Sequence, residues 1–188
     1  MRVLLANESF EPLERIAPLV RAAGHEVVAT EVDEHRVLTR VAEHHAEVAA
    51  VAFDHDRDHA LRLVGRLGAS APCPIVLWTG DDEPALARAA LHRGAAAYAA
   101  RRTSGALAAA IDFAAHRHRE LALLRRRLAD LEGAAAQRAT VEQAKGVLMA
   151  RHEIGAREAY ALIRGEARSR RVSVGEVAES VLRVHRLI

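Results

Sequence analysis

Over the first hundred residues, short apolar runs alternate with apolar residues at helical spacing. Arg2–Ala6, Glu26–Glu31, Val48–Phe53, Pro74–Trp78 and Ala96–Ala99 read as buried parallel strands. Helices are predicted between them, carrying Leu13, Ile16, Leu19 and Val20, then Val37, Val41 and Ala42, then Leu61, Leu63, Val64 and Leu67. A fourth helix spans Ala85–His92, and a fifth runs from Ser104 onward. Gly24 and Gly94 follow two of these helices, where glycine supplies the left-handed residue that ends a helix. Five strand–helix units predict a doubly wound α/β domain with a five-stranded parallel sheet over residues 1–113.

Beyond residue 113 the pattern is helical only. Leu121, Leu124, Leu128 and Leu131 recur at 3-4-3 spacing, with Ala114 and Ala135 extending the row and Arg125–Arg127 on the outer face. This is the a/d seam of a short coiled coil, predicting a helical connector at 114–136 that Gly133 relaxes or ends. The seam is barely two heptads, short for an independent coiled coil; it packs either on its own domain or on a partner helix, and dimerisation through an extended signalling helix is the preferred reading. Residues 137–188 contain three apolar faces: Val141, Ala144, Val147 and Leu148; Ala159, Leu162, Ile163 and Ala167; Val174, Val177, Ala178, Val181 and Leu182. Gly155 separates the first two helices, and Ser173 and Glu176 are spaced as a capping box opening the third. Val141, Ala144, Leu148, Leu162 and Val181 are expected in the core. A three-helix bundle of about 50 residues has little core of its own and leans on the connector or a partner.

Charge is uneven along the chain. Its net value of +2 divides into −4 over residues 1–113, +2 over 114–136 and +4 over 137–188. An acidic front and a basic back suggest a regulatory domain joined to one that binds a polyanion. Lys145 is the only lysine among 27 basic residues. A slim, mobile ammonium is not interchangeable with a guanidinium fork, which marks the position. Aromatics are 3% of the chain, so base stacking has little material. The single cysteine, Cys73, excludes an internal disulfide and a CxxC metal pattern, and fits a reducing cytoplasm. No signal-peptide order and no apolar stretch of membrane length is present. Asp54, His55 and His59 offer metal-ligand chemistry, but a solvated loop whose aspartates cap the next helix is the favoured reading. Glu43, His44 and His45 form another such cluster. No catalytic set or glycine-rich phosphate loop is visible, so an enzyme is not expected.

The order of the front elements and several local strings resemble the receiver domain of two-component response regulators. The acidic pair after strand one falls on Asn7 and Glu8, the switch hydroxyl after strand four on Thr79, and the Gly-Ala-x-x-Tyr string on Gly94–Tyr98. The lysine of that family falls on Arg101 and its following proline on Arg102. The phosphoacceptor position falls on Ala52. Asp54 lies two residues on, displaced by about 7 Å along an extended strand. Aspartyl phosphorylation needs a carboxylate nucleophile, acids for Mg²⁺ and a cation for the phosphoryl oxygens. With Ala52 and a single acid, the resemblance implies a degenerate receiver that is not phosphorylated, holds no cofactor, and serves dimerisation or sensing. Mg²⁺ at the vestigial pocket is disfavoured. A sensor kinase or another regulatory protein is the partner class this resemblance brings.

Arg138-Ala-Thr-Val-Glu-Gln-Ala-Lys-Gly-Val-Leu-Met-Ala-Arg-His152, then Glu158-Ala-Tyr-x-Leu-Ile-Arg164, then Val177-Ala-Glu, resemble the ANTAR domain of transcription antitermination regulators. Ala156 departs from the pattern, where a capping serine is common. The resemblance implies binding to paired hairpin loops of nascent leader RNA, and two loops imply a homodimer. Arg138, Lys145, Arg151, His152 and Arg164 are the expected contacts to backbone or bases. Gly146 opens space beside Lys145, and Arg168, Arg170 and Arg171 add phosphate contacts. The alternatives are a DNA-binding regulator with a helix-turn-helix output and a protein-interaction adaptor. Against the first, the presumed recognition helix carries Glu176 and Glu179, which phosphates repel.

Overall fold

The computed structural model describes residues 1–100 and 105–185. Strands and helices alternate as β1 (Arg2–Ala6), α1 (Phe10–Ala22), β2 (Glu26–Glu31), α2 (Val37–Glu43), β3 (Val48–Phe53), α3 (Arg57–Ser70), β4 (Ile75–Thr79), α4 (Pro84–His92) and β5 (Ala97–Ala100). Three helices follow: α5 (Ala106–His152), α6 (Ala156–Arg170) and α7 (Val174–His185). The five strands pair in parallel in the order β2-β1-β3-β4-β5. Strand order reverses between β1 and β3, so the carboxyl ends of these strands form the switch point where such sheets place their sites.

The strands are apolar on both faces because helices cover both. Leu4, Val51, Leu77, Leu63, Leu67 and Leu86 pack on one face, against α2 to α4. Leu5, Ala52, Trp78, Ile16, Val20 and Ile111 pack on the other, against α1 and the start of α5. Two residues expected on helix faces lie outside. Leu19 is 53% exposed and Ala42 is exposed. Each sits one residue, about 100° of helix rotation, from the buried stripe that includes Val20 or Val41. The α3 helix comes close to the turn after α4. A Cβ on Gly68 would stand 2.3 Å from the Arg93 carbonyl oxygen, and Gly94 has φ +104°.

The chain divides into two compact units, Met1–Ala122 and Leu123–Ile188. Gly133 does not end the connector helix: α5 continues through it for 47 residues in all. One mid-helix glycine costs about 1 kcal/mol, too little to break a helix anchored by packing at both ends. In the second unit Ala144, Ala159, Ile163, Ala167, Val177 and Ala178 are buried, with Val141, Leu148 and Val181 partly buried around them. Leu162 is not in this core but 52% exposed. The buried stripe of α6 runs through Ala159, Ile163 and Ala167 at i, i+4 and i+8, and Leu162 falls beside it. No helix among the described residues is long and apolar enough to cross a membrane.

The capping box is formed. The Glu176 amide donates to Ser173 Oγ at 3.2 Å, and the Ser173 amide donates to Glu176 Oε2 at 2.7 Å. That amide bond, followed by the side-chain bond to Ser173, holds the Glu176 carboxyl below the usual carboxylate range. The Ser173→Ala variant is expected to lose about 1 kcal/mol of stability in the second unit, measured by urea denaturation at neutral pH. A carboxyl with a lowered folded pKa contributes stability that is complete above its unfolded pKa and lost as pH falls through the folded value. Glu176→Gln should therefore flatten the acid side of the stability profile while Ser173 is intact; an unchanged acid slope would show that the box carries no linkage.

Candidate functional site

The carboxyl edge of the sheet gathers the receiver-pocket positions. Ala52, 3% exposed, presents a methyl group to the core beside Trp78 where a nucleophilic carboxylate would be needed. Glu8 is engaged by the loop after β3: Oε1 accepts from the His55 amide at 3.2 Å and Oε2 from the Asp56 amide at 3.0 Å. Asn7 is 1% exposed, and its Nδ2 has no hydrogen-bond partner among the described residues. Asp54 lies beyond the strand and accepts from Arg15 Nη2 of α1 at 3.3 Å, with His55 Nε2 at 3.6 Å. Thr79 is fully buried; its hydroxyl donates to the Asp81 carbonyl and lies 3.1 Å from the Tyr98 hydroxyl, which accepts from the Glu83 amide at 3.0 Å. Arg101, Arg102 and Ser104 lie outside the described residues. A hard divalent cation takes several oxygen ligands. An amide, a methyl group and a carboxylate already bonded through both oxygens do not fit Mg²⁺.

The Asp54–His59 segment is organised as a helix start. Asp56 accepts the His59 amide at 2.9 Å and caps α3. That bond holds the Asp56 carboxyl below its ordinary range.

In the second unit the arginines differ from most of those at the front. At the front, Arg15, Arg36, Arg40, Arg57, Arg62 and Arg66 form ion pairs with acidic residues, while Arg21, Arg88 and Arg93 are exposed without one among the described residues. At the back, Arg138, Arg151, Arg164, Arg168 and Arg171 are exposed and make no ion pair among the described residues. Arg170 differs from them: it pairs with Glu166 at 3.7 Å and lines a depression together with Glu176 and Glu179. His152 is exposed at the end of α5, and Arg171 adopts φ +56° as the residue that ends α6.

Lys145 is more enclosed than a solvated contact residue. Its side chain is 17% exposed, and Nζ donates to both carboxylate oxygens of Glu142 at 2.9 Å. Gly146 is exposed, and a Cβ there would meet nothing within 4 Å. No packing among the described residues accounts for this mid-helix glycine.

Arg138 and Tyr160 share a depression of about 450 Å³ with Gln137, Val141, Glu142 and Gly175. A second depression of about 290 Å³ brings Tyr160 together with Arg157, Arg164 and Arg168. Arg157 and Tyr160 were not among the residues expected from the sequence. Their signal was present as spacing, since 157, 160, 164 and 168 recur at three and four residues along one face of α6. Arg151, His152 and Arg171 line neither depression.

The connector leucines lack cover. Leu121, Leu124, Leu128 and Leu131 are 38%, 53%, 56% and 69% exposed, whereas Ala114, at the head of the row, is fully buried in the front core.

Residues 129–182 match the model of the ANTAR domain. The transcriptional regulatory protein PdtaR of Mycobacterium tuberculosis is 28% identical over 182 residues, covering 96% of this chain and 89% of that protein. Among solved structures, a response regulator receiver domain from Clostridium thermocellum superposes with a TM-score of 0.54 at 21% identity, over 64% of this chain and 98% of that one. The receiver domain of the putative response regulator NarL of Mycobacterium tuberculosis gives 0.51 at 22% identity, over 61% and 95%. At these identities the structural matches establish the fold.

Proposed function

We propose that this chain, a transcriptional regulator of the ANTAR family with a receiver fold at its front, binds hairpin loops of nascent leader RNA through its last three helical segments and so favours antitermination. The observation that carries this reading is the set of exposed, unpaired arginines gathered on the second unit, where Arg15, Arg40 and Arg57 of the first are held by acids. Cations without internal partners release counterions when they meet phosphates, which is the main source of nucleic-acid affinity. Unpaired loops expose base edges that a duplex hides. A helix-turn-helix reading is disfavoured because α7 carries Glu176 and Glu179 beside Arg170 and Arg183. Lys145 fits the RNA reading through partner exchange. Its pair with Glu142 is an i,i+3 pair on one helix, worth about 0.2–0.5 kcal/mol, so a phosphate displaces the carboxylate at small cost.

The front domain, in this proposal, works without a phosphoryl group and takes its input from a partner protein. Ala52 replaces the nucleophile, and Glu8 is occupied by backbone amides. Two chains pair along the exposed leucines of α5, which sets two RNA-binding units side by side for two loops.

Four outcomes are expected. In salt-dependent gel shifts, a two-hairpin leader RNA is retained and duplex DNA of equal length is not; equal binding to both would sink the antitermination reading. Lys145→Ala lowers RNA affinity roughly 10- to 100-fold, in the range of one charge-assisted contact, while the thermal melt is unchanged. Acetyl phosphate with Mg²⁺ leaves the protein unlabelled by intact-mass measurement, whereas a phosphoryl group on Asp54 would refute the phosphate-free domain. Sedimentation equilibrium shows a dimer that the L124E/L128E double variant converts to monomer; a dimer surviving both charges would place the interface elsewhere.

A further inference from the structure

Tyr160 has no structural task that explains its position. The buried stripe of α6 consists of Ala159, Ile163 and Ala167, and Tyr160 stands beside it, 42% exposed. Its hydroxyl makes no hydrogen bond among the described residues. The ring borders the 290 Å³ depression, whose other walls are Arg157, Arg164 and Arg168 and whose floor contains Ala161 and Gly165. A Cβ on Gly165 would meet nothing within 4 Å, so the floor is open, and no acid lines it. The three guanidinium groups have no ion-pair partner among the described residues.

The chemistry of these walls selects the occupant. An aromatic face attracts another planar π-system, and guanidinium planes both stack on bases and bind phosphate. The volume lies at the small end of ligand sites, about 300–1,000 Å³, and suits one planar group. A base inside a duplex is already stacked on both faces and cannot enter. An unpaired base can, with its own phosphates falling among the arginines. Resting on the RNA-binding reading above, we infer that this depression is a nucleobase seat: one splayed loop base stacks on Tyr160, with Arg157, Arg164 and Arg168 holding its edge and flanking phosphates. The scarcity of aromatics in the chain does not exclude stacking, since a single placed ring supplies one platform.

The test uses the full chain and a two-hairpin leader RNA in which loop purines are replaced one at a time by fluorescent 2-aminopurine. Binding of the unaltered protein quenches one loop position. Tyr160→Leu is expected to lose that quenching and about 5- to 100-fold in affinity, with the salt slope unchanged because stacking releases no counterions. Tyr160→Phe keeps both affinity and quenching. Arg164→Gln instead lowers the magnitude of the salt slope by roughly one phosphate contact. Circular dichroism melts establish that each variant is folded. Full affinity and quenching in Tyr160→Leu would overturn the seat while leaving RNA binding standing. Equal losses in the Phe and Leu variants would assign the effect to the hydroxyl and also overturn it. Failure of the unaltered protein to bind the RNA would fall on the RNA-binding reading itself.

Discussion

Neither hydrophobic core is complete without α5. Ile111 and Ala114 near its start are fully buried in the front core, and Ala144 near its end is fully buried in the rear one. The two burials differ in strength. The front core fills both faces of a sheet with leucine, isoleucine and valine, each worth about 1.5–3 kcal/mol when fully buried. The rear core is made largely of alanines, Ala144, Ala159, Ala167 and Ala178, around Ile163 and Val177. Alanine lets helices approach closely but removes little apolar surface from water. A bundle built this way depends more on its backbone terms, which is why the reciprocal Ser173–Glu176 box matters at the start of α7.

The front domain keeps the receiver architecture while its switch-point groups serve the fold. At the edge where a sheet of this order holds its chemistry, Glu8 caps two loop amides and Thr79 is tied to Asp81 and Tyr98. Each of these bonds stabilises the loop arrangement at the carboxyl ends of the strands. A carboxylate bonded through both oxygens has already exchanged its water for protein donors, so recruiting it to a metal would mean breaking what orders the loop.

Much of this was legible in the sequence, because the signals involved are local or periodic. The apolar runs located β1, β2 and β3 at their observed limits, and the Ser173/Glu176 spacing specified its own hydrogen bonds. Leu19 and Leu162 were misread for one reason. Each is adjacent in sequence to a buried residue, and single-sequence periodicity does not resolve a stripe from its neighbour when both are apolar. Gly133 misled because glycine weakens a helix without ending one that packing holds. The Lys145–Glu142 pair follows from i,i+3 spacing on one helix, whereas the rarity of lysine marks the residue and says nothing of its partner. The position of Tyr160 is not legible from composition, because a low aromatic count describes the chain and not the surface. Only the fold shows that the ring stays outside the core and that arginines gather around it.

Net charge conceals the feature that most separates the two units. A value of +2 suggests a nearly neutral protein, and the −4/+4 division suggests a modest basic half. The structure adds the distribution of partners. Exposed ion pairs such as Arg62–Glu34 contribute little stability, about 0–1 kcal/mol each, but they cancel the local field of the arginines they hold. Arginines left unpaired on α6 keep theirs. Arg157, Arg164 and Arg168 share one helix face, within or near a Debye length of about 8 Å of the next, so they repel one another until an anion enters among them. Residues 157–171 contain five arginines and two glutamates, and one of those glutamates is already bound to Arg170. Within this stretch only Glu158 is left to offset the remaining charge, so the energetic demand for a polyanion is concentrated on the surface that carries Tyr160.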